Sequence, residues 1–198
     1  MYLRFSADTN GMQNESPFVN QLLIAMPGMQ DPNFSASVTL VCEHNSDGAL
    51  GIIINRPMNL SLGGLFEQLN LEDIDSTMAA RPILDGGPVA TERGFVLHSP
   101  CDAFDHSMTV SADIQLTLSR DVLESMAKGR GPENSLIALG CAGWDAGQLD
   151  EEMLTNTWLS VPASPDMIFK VPFEQRWRAA AGELGVDFSQ LSTDAGHA

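Results

Sequence analysis

Residues 38–55 read VTLVCEHNSDGALGIIIN, and this stretch decides the fold class. Val38–His44 and Ala49–Asn55 are rich in apolar and β-branched residues, and Asn45-Ser46-Asp47-Gly48 lies between them. Two such runs about a turn containing Asp-Gly predict a β-hairpin. Ile52-Ile53-Ile54 is apolar on consecutive positions, so both faces of that strand are expected to be covered and the strand to be central. The same reasoning makes Leu22–Met26 (LLIAM) an earlier buried strand, closed by Pro27-Gly28.

Outward from the hairpin the periodicity changes. Ser61 is placed to cap a helix whose Leu62, Leu65, Phe66 and Leu69 fall on one stripe. Arg93–His98 and Met108–Ser111 read as strands. A helix from about Ser119 puts Val122, Leu123 and Met126 on one face and stops at Gly129. Ser135–Cys141 (SLIALGC) is a further buried strand. Gly143-Trp144-Asp145-Ala146-Gly147 reads as a tight strand-to-helix turn into an acidic helix near Gln148–Asn156. Trp158–Val161 and Asp166–Phe169 are expected to be short extended pieces. Pro172 is expected at the first position of a last helix with Phe173, Trp177, Ala180, Ala181 and Leu184 on its apolar stripe and Gly185 after it. Strands and helices do not alternate strictly, so an α+β domain is expected rather than a doubly wound sheet.

The chain has 198 residues and no long Ser/Pro/Gly linker, internal repeat or low-complexity tract. One domain over residues 17–191 is expected, with a flexible N-terminal arm over 1–16 and a flexible tail over 192–198. A hydrophobic fraction of 43% lies slightly below the usual globular range and still supplies a core.

Charge excludes some functions. The 26 acidic residues outnumber the 10 Lys and Arg, for a net −16. The basic residues are scattered, whereas duplex binding needs clustered cations that displace counterions from phosphates. Direct nucleic-acid binding is therefore not expected, and anionic membrane surfaces are disfavoured too. Cys42, Cys101 and Cys141 are odd in number, which reads as free thiols in a reducing compartment. The N-terminus lacks the pattern of a signal peptide, and no apolar run approaches the roughly 20 residues that span a bilayer. A cytoplasmic location is the expectation.

Several segments resemble one family: Leu22–Phe34 (LLIAMPGMQDPNF), Ser37–Pro57 (SVTLVCEHNSDGALGIIINRP), Gly86–Val89 (GGPV), Arg93–His98 (RGFVLH), Gly140–Leu149 (GCAGWDAGQL) and Asn156–Pro162 (NTWLSVP) with Arg176-Trp177. Together, over roughly residues 17–186, they resemble the AlgH/YqgE-like family of uncharacterised bacterial proteins. The resemblance implies mixed, mainly antiparallel sheets curled into a partly open barrel-like core with flanking helices. Members are often labelled transcriptional regulators, but no DNA-binding motif accompanies that label here. The residue before Ala142 is commonly Tyr in the family and is Cys141 in this chain, so a role for that hydroxyl does not carry over.

The residues offer several candidate chemistries. Asn55 and Arg56 end the central strand, Asp85-Gly86-Gly87-Pro88 precedes Arg93, and Gly143-Trp144 lies in the third glycine-bearing segment. With His98, these residues form the candidate ligand-binding set if the curled sheet gathers their turns into one mouth that receives a carboxylate or a carbonyl. The competing reading pairs the arginines with surface acids or backbone carbonyls. Free N–H groups beside Gly140–Gly147 suggest an anion site, but the Lys-Ser/Thr of a phosphate loop is missing. Cys42 and His44 are expected on one strand face, with His98 and Cys101 near each other, yet C-x-H with H-x-x-C is not a zinc spacing. No metal and no cofactor are therefore expected. A cysteine nucleophile with His44 or His98 as base stays open. Ser61 and Ser99 lack a G-x-S-x-G context, and Glu151 and Glu152 read as a solvated helix face. The leading expectation is a regulatory or binding protein that engages a protein partner or a small ligand. A small-molecule enzyme and a directly DNA-binding regulator are the alternatives.

Overall fold

The structure is a computed structural model and describes residues 16–71, 76–101 and 103–186. The arm expected over 1–16, except Ser16, and the tail expected over 192–198 lie outside the described residues.

Strand β1 (Gln21–Ala25) precedes the hairpin of β2 (Val38–Asn45) and β3 (Gly48–Ile53). Asn45 pairs with Gly48, leaving a two-residue loop whose Asp47 N–H is held by the Asn45 side chain at 2.8 Å. A Cβ on Gly48 would lie 2.2 Å from the Trp144 carbonyl oxygen, so close approach to a neighbouring strand demands glycine here. Then follow β4 (Pro57–Ser61), α1 (Leu62–Gln68), α2 (Ser76–Ala79), β5 (Pro82–Asp85), β6 (Val89–His98), β7 (Ser107–Ser111), β8 (Ile114–Thr117) and α3 (Asp121–Ala127). The chain continues through β9 (Ser135–Asp145), α4 (Gln148–Leu154), β10 (Trp158–Pro162), α5 (Pro165–Phe169) and α6 (Phe173–Glu183). Ser61 caps α1 as expected, accepting from the Gly64 N–H at 3.3 Å.

The main sheet runs β10-β1-β2-β3-β9-β6-β8-β7, with neighbours antiparallel. β6 takes one edge of β9. The other edge is shared by β3, at Ala142–Asp145, and by β5, which pairs in parallel at Ala138 and Leu139. This sharing curls the sheet into a half-barrel with helices outside, the α+β architecture expected from the sequence.

Both sheet faces are covered. Leu22, Leu40, Ile52, Phe95 and Leu116 point into one core, closed by α5 and α6. Leu23, Val41, Ala49, Ala142, Trp144 and Trp158 fill a second beneath α4. Leu62, Phe66, Ile83, Val96, Val122 and Ile137 form a third with α1 and α3. The consecutive apolar residues of β1 and β3 follow from this double burial.

Four expectations are corrected. Gly143 and Trp144 belong to β9, which runs on to Asp145, so the turn is confined to Ala146-Gly147. Asp166–Phe169 is helical, because Ser164 accepts from the Met167 N–H and Pro165 opens the turn. Pro172 is the cap before α6 rather than its first residue, and Leu184 is 43% exposed while Arg176 is buried. Cys42 and His44 do not share a face. The β2/β3 register slips between Val41 and Glu43, and this bulge reverses the alternation. Cys42 enters the first core, whereas His44 packs against Phe18 on the opposite side.

Candidate functional site

The most irregular backbone surrounds Gly140. β6 pairs Val89 with Cys141 and Gly94 with Leu139, so four residues, Ala90–Arg93, bulge out opposite one. Gly87 (φ 139°), Ala90 (φ 49°) and Gly140 (φ 75°) take positive φ angles. Ala90 does so without the freedom of glycine, a conformation that costs on the order of 1 kcal/mol and persists only where surroundings enforce it. The enforcement is visible. The Gly86 N–H donates to the Leu139 carbonyl at 2.8 Å, and the Ile53 N–H to the Gly86 carbonyl at 3.0 Å. A Cβ on Gly140 would lie 2.3 Å from the Gly87 carbonyl oxygen, and one on Gly86 would lie 2.2 Å from the Gly140 carbonyl oxygen. Residues 86–93 therefore wrap closely over Gly140 and Cys141. Ala90, Thr91, Glu92 and Arg93 line an open depression of about 530 Å³.

Cys141 is buried beneath this segment, in the first core. Its thiol donates to the Val89 carbonyl at 3.7 Å, and burial pushes its pKa up to about 11, with Arg93 opposing the shift. At neutral pH the thiol is protonated and a poor nucleophile. Cys42 is buried likewise, and its thiol is pushed up by burial and by Cys141.

The structure brings Gly86, Gly87, Arg93 and Gly143 together around β9, where a Cβ on Gly143 would meet Val89 at 3.6 Å. Asn55 and Arg56 border this group through their backbone, since the Asp85 N–H donates to the Arg56 carbonyl at 2.8 Å. Their side chains go elsewhere. The Arg56 guanidinium donates to the carbonyls of Asn33, Pro32 and Ser35, and the Asn55 amide bridges the Val38 N–H and the Ala36 carbonyl. Together they clamp the loop between β1 and β2.

His98 lies apart, four strand residues from Gly94 and so about 13 Å away along β6. It is fully buried, with ring nitrogens at 2.9 Å from the Ser99 carbonyl and 2.8 Å from the Thr117 hydroxyl. Trp144 sits in the second core, 6.2 Å from the Trp158 ring centroid. Its indole N–H and that of Trp158 both donate to Glu152 Oε2, at 2.9 and 2.8 Å. Glu152 therefore serves the aromatic core instead of a solvated face. Its spacing from Gln148, with which it also bonds, marks only a helix surface in the sequence. Arg176 is also buried, although its place in the helix sequence marks only a surface cation. It donates to the carbonyls of Ile54 and Val171, lies 4.4 Å over the Phe173 ring, and has its pKa lowered to about 10 by burial. Among the described residues no group of three or more His, Cys, Asp or Glu side chains is arranged to hold a metal, and no helix is long and apolar enough to cross a membrane.

These features define a class: a curled α+β half-barrel whose candidate site is a bulge beside its central strand. The chain belongs to the AlgH-like family, whose profile matches residues 22–189. It is 54% identical over 187 residues to a UPF0301 protein of Thioalkalivibrio sulfidiphilus, covering 94% of this chain and 100% of that one. A UPF0301 protein of Saccharophagus degradans is 52% identical over 179 residues, covering 90% and 88%. The solution structure of AlgH from Pseudomonas aeruginosa matches with a TM-score of 0.75 and 45% identity, over 94% of this chain and 100% of that one. A crystal structure of a Corynebacterium diphtheriae protein, 18% identical with a TM-score of 0.69 over 92% and 95% of the two chains, shares the fold.

Proposed function

We propose that the chain is a regulatory binding protein that engages a protein partner or a small ligand at the bulge of Gly86–Arg93. One observation carries this reading: Ala90–Arg93 is held out from β6 by positive-φ residues above a rigid wall, bordering an open depression. A preformed irregular loop on a stiff sheet is the usual way for a fold to present recognition groups with little ordering cost. Arg93 supplies a planar cation, and Thr91 and Glu92 add hydrogen-bonding groups, a set that suits a carboxylate or carbonyl group. The buried, protonated Cys141 favours binding over thiolate catalysis at this place. The charge of −16 disfavours direct binding to duplex DNA, so any regulatory action would pass through another molecule.

The test is a thermal-shift and NMR screen of carboxylate-bearing metabolites and peptides. Binding should shift the amide resonances of residues 86–94 and 139–143, and Arg93→Ala should weaken it by about tenfold, one charge-assisted hydrogen bond. Ligands that perturb other regions and bind Arg93→Ala equally well would refute the reading.

A further inference from the structure

The β2 bulge turns His44 out of the hairpin core and between two partners from distant parts of the chain. On one side its Nε2 lies 3.0 Å from Asp150 Oδ2, in α4. On the other, its Nδ1 bonds the hydroxyl of Ser16, ahead of β1. A carboxylate only accepts hydrogen bonds, so Nε2 carries the hydrogen that faces Asp150. In the neutral ring Nδ1 then holds a lone pair and accepts the Ser16 O–H. That polarity is the one a general base needs. The side chains are also fixed. The Phe18 N–H donates to Ser16 Oγ at 3.2 Å, and the Phe18 ring meets the imidazole edge-on at 5.2 Å between centroids. The His44 side chain is 11% exposed and Ser16 is half-buried, so the imidazole is shielded from solvent.

From this geometry we infer that Ser16, His44 and Asp150 form an acyl-transfer site, with Ser16 as nucleophile, His44 as general base and Asp150 as a positioning residue. The two ring nitrogens exchange roles relative to the familiar serine triad, but the order hydroxyl, imidazole, carboxylate is kept. Ser16 Oγ adds to the carbonyl carbon of an ester while its proton passes to His44 Nδ1. The bond from that carbon to the leaving oxygen breaks, and the departing alcohol takes the proton. Water then attacks the acyl-Ser16 ester with His44 again as base, releasing a carboxylic acid and restoring the hydroxyl. The net charge of −16 repels acyl phosphates and other polyanionic donors, so uncharged esters with good leaving groups are the substrate class.

The full chain is treated with a fluorophosphonate, whose P–F bond breaks as a bond from Ser16 Oγ to phosphorus forms, and the adduct is located by mass spectrometry. One adduct per chain is expected on Ser16, absent in Ser16→Ala and slowed about 100-fold or more in His44→Gln. Asp150→Asn should slow labelling at an unchanged unfolding midpoint, and Asp150→Glu should restore most of it. No adduct on the wild-type chain, an adduct retained in Ser16→Ala, or labelling indifferent to His44→Gln in a folded variant would overturn the inference.

Discussion

Cys42 and His44 lie two residues apart on β2 and face opposite sides of the sheet, because the bulge at Cys42 inserts one residue against β3. Cys42 is thereby sealed with Cys141 in the first core, while Cys101 is exposed. Burial raises both sealed thiols above the ordinary range, so neither offers thiolate at neutral pH. Titration of the native chain with a thiol reagent at pH 7.5 should consume Cys101 quickly and the other two only on unfolding. Fast modification of all three thiols in the folded state would contradict this burial.

Glu152 is the shared acceptor for the indole N–H groups of Trp144 and Trp158. Replacing it with Ala strands two mostly buried donors, and each unsatisfied donor costs about 1–3 kcal/mol. Glu152→Ala should lower stability by about 2–4 kcal/mol, and Glu152→Gln by less, since its amide oxygen still accepts. Chemical denaturation followed by tryptophan fluorescence measures both. A loss near zero for Glu152→Ala would show that water replaces the carboxylate freely.

Arg56 ties down the loop after β1 through three backbone carbonyls. Arg56→Ala should leave the sheet intact and loosen residues 31–37. Hydrogen exchange at Ser35 and Ser37 should accelerate by about tenfold or more, equivalent to one to two lost bonds of about 1 kcal/mol each. Unchanged exchange in that loop would show that Arg56 does not clamp it.

Gly140 and Gly147 both have φ near +75° but differ in surroundings. A Cβ on Gly147 meets nothing within 4 Å, whereas one on Gly140 strikes the Gly87 carbonyl oxygen. Gly147→Ala should cost about 1 kcal/mol from the left-handed backbone alone. Gly140→Ala adds displacement of the 86–93 segment and should cost about 3 kcal/mol or more. Thermal unfolding of the pair decides, and equal losses would mean that the bulge moves aside without resistance.

Burial lowers the His98 pKa below its ordinary 6.5, against the opposing Ser99 carbonyl. The unfolded chain then binds this proton at higher pH than the native one, so protonation favours unfolding. The contribution of neutral His98 is complete above about pH 6.5 and is lost as the pH falls from there toward the native value. Urea midpoints between pH 8 and 5 should show wild type losing ground relative to His98→Gln on acidification. A constant difference across that range would show that His98 has an ordinary pKa.

Composition, strand order in the hairpin region and the AlgH-like resemblance were all legible in the sequence. Apolar runs at Leu22–Met26, Val38–Cys42 and Ile52–Ile54 depend on local patterning that survives any tertiary arrangement, and so does the Ser61 cap. Which side chains meet depended on register, and register is a property of pairs of strands. One extra residue at Cys42 sent His44 to the face where Ser16 and Asp150 stand, and nothing in VTLVCEHN announces it. The glycines of 86–87 and 140 were visible as turn residues. Only the folded sheet showed that they are there because two backbones pass too closely for a Cβ between them. Hydrophobic patterning acts along the chain and can be read from it, whereas contacts separated by a hundred residues are set by how the curled sheet closes.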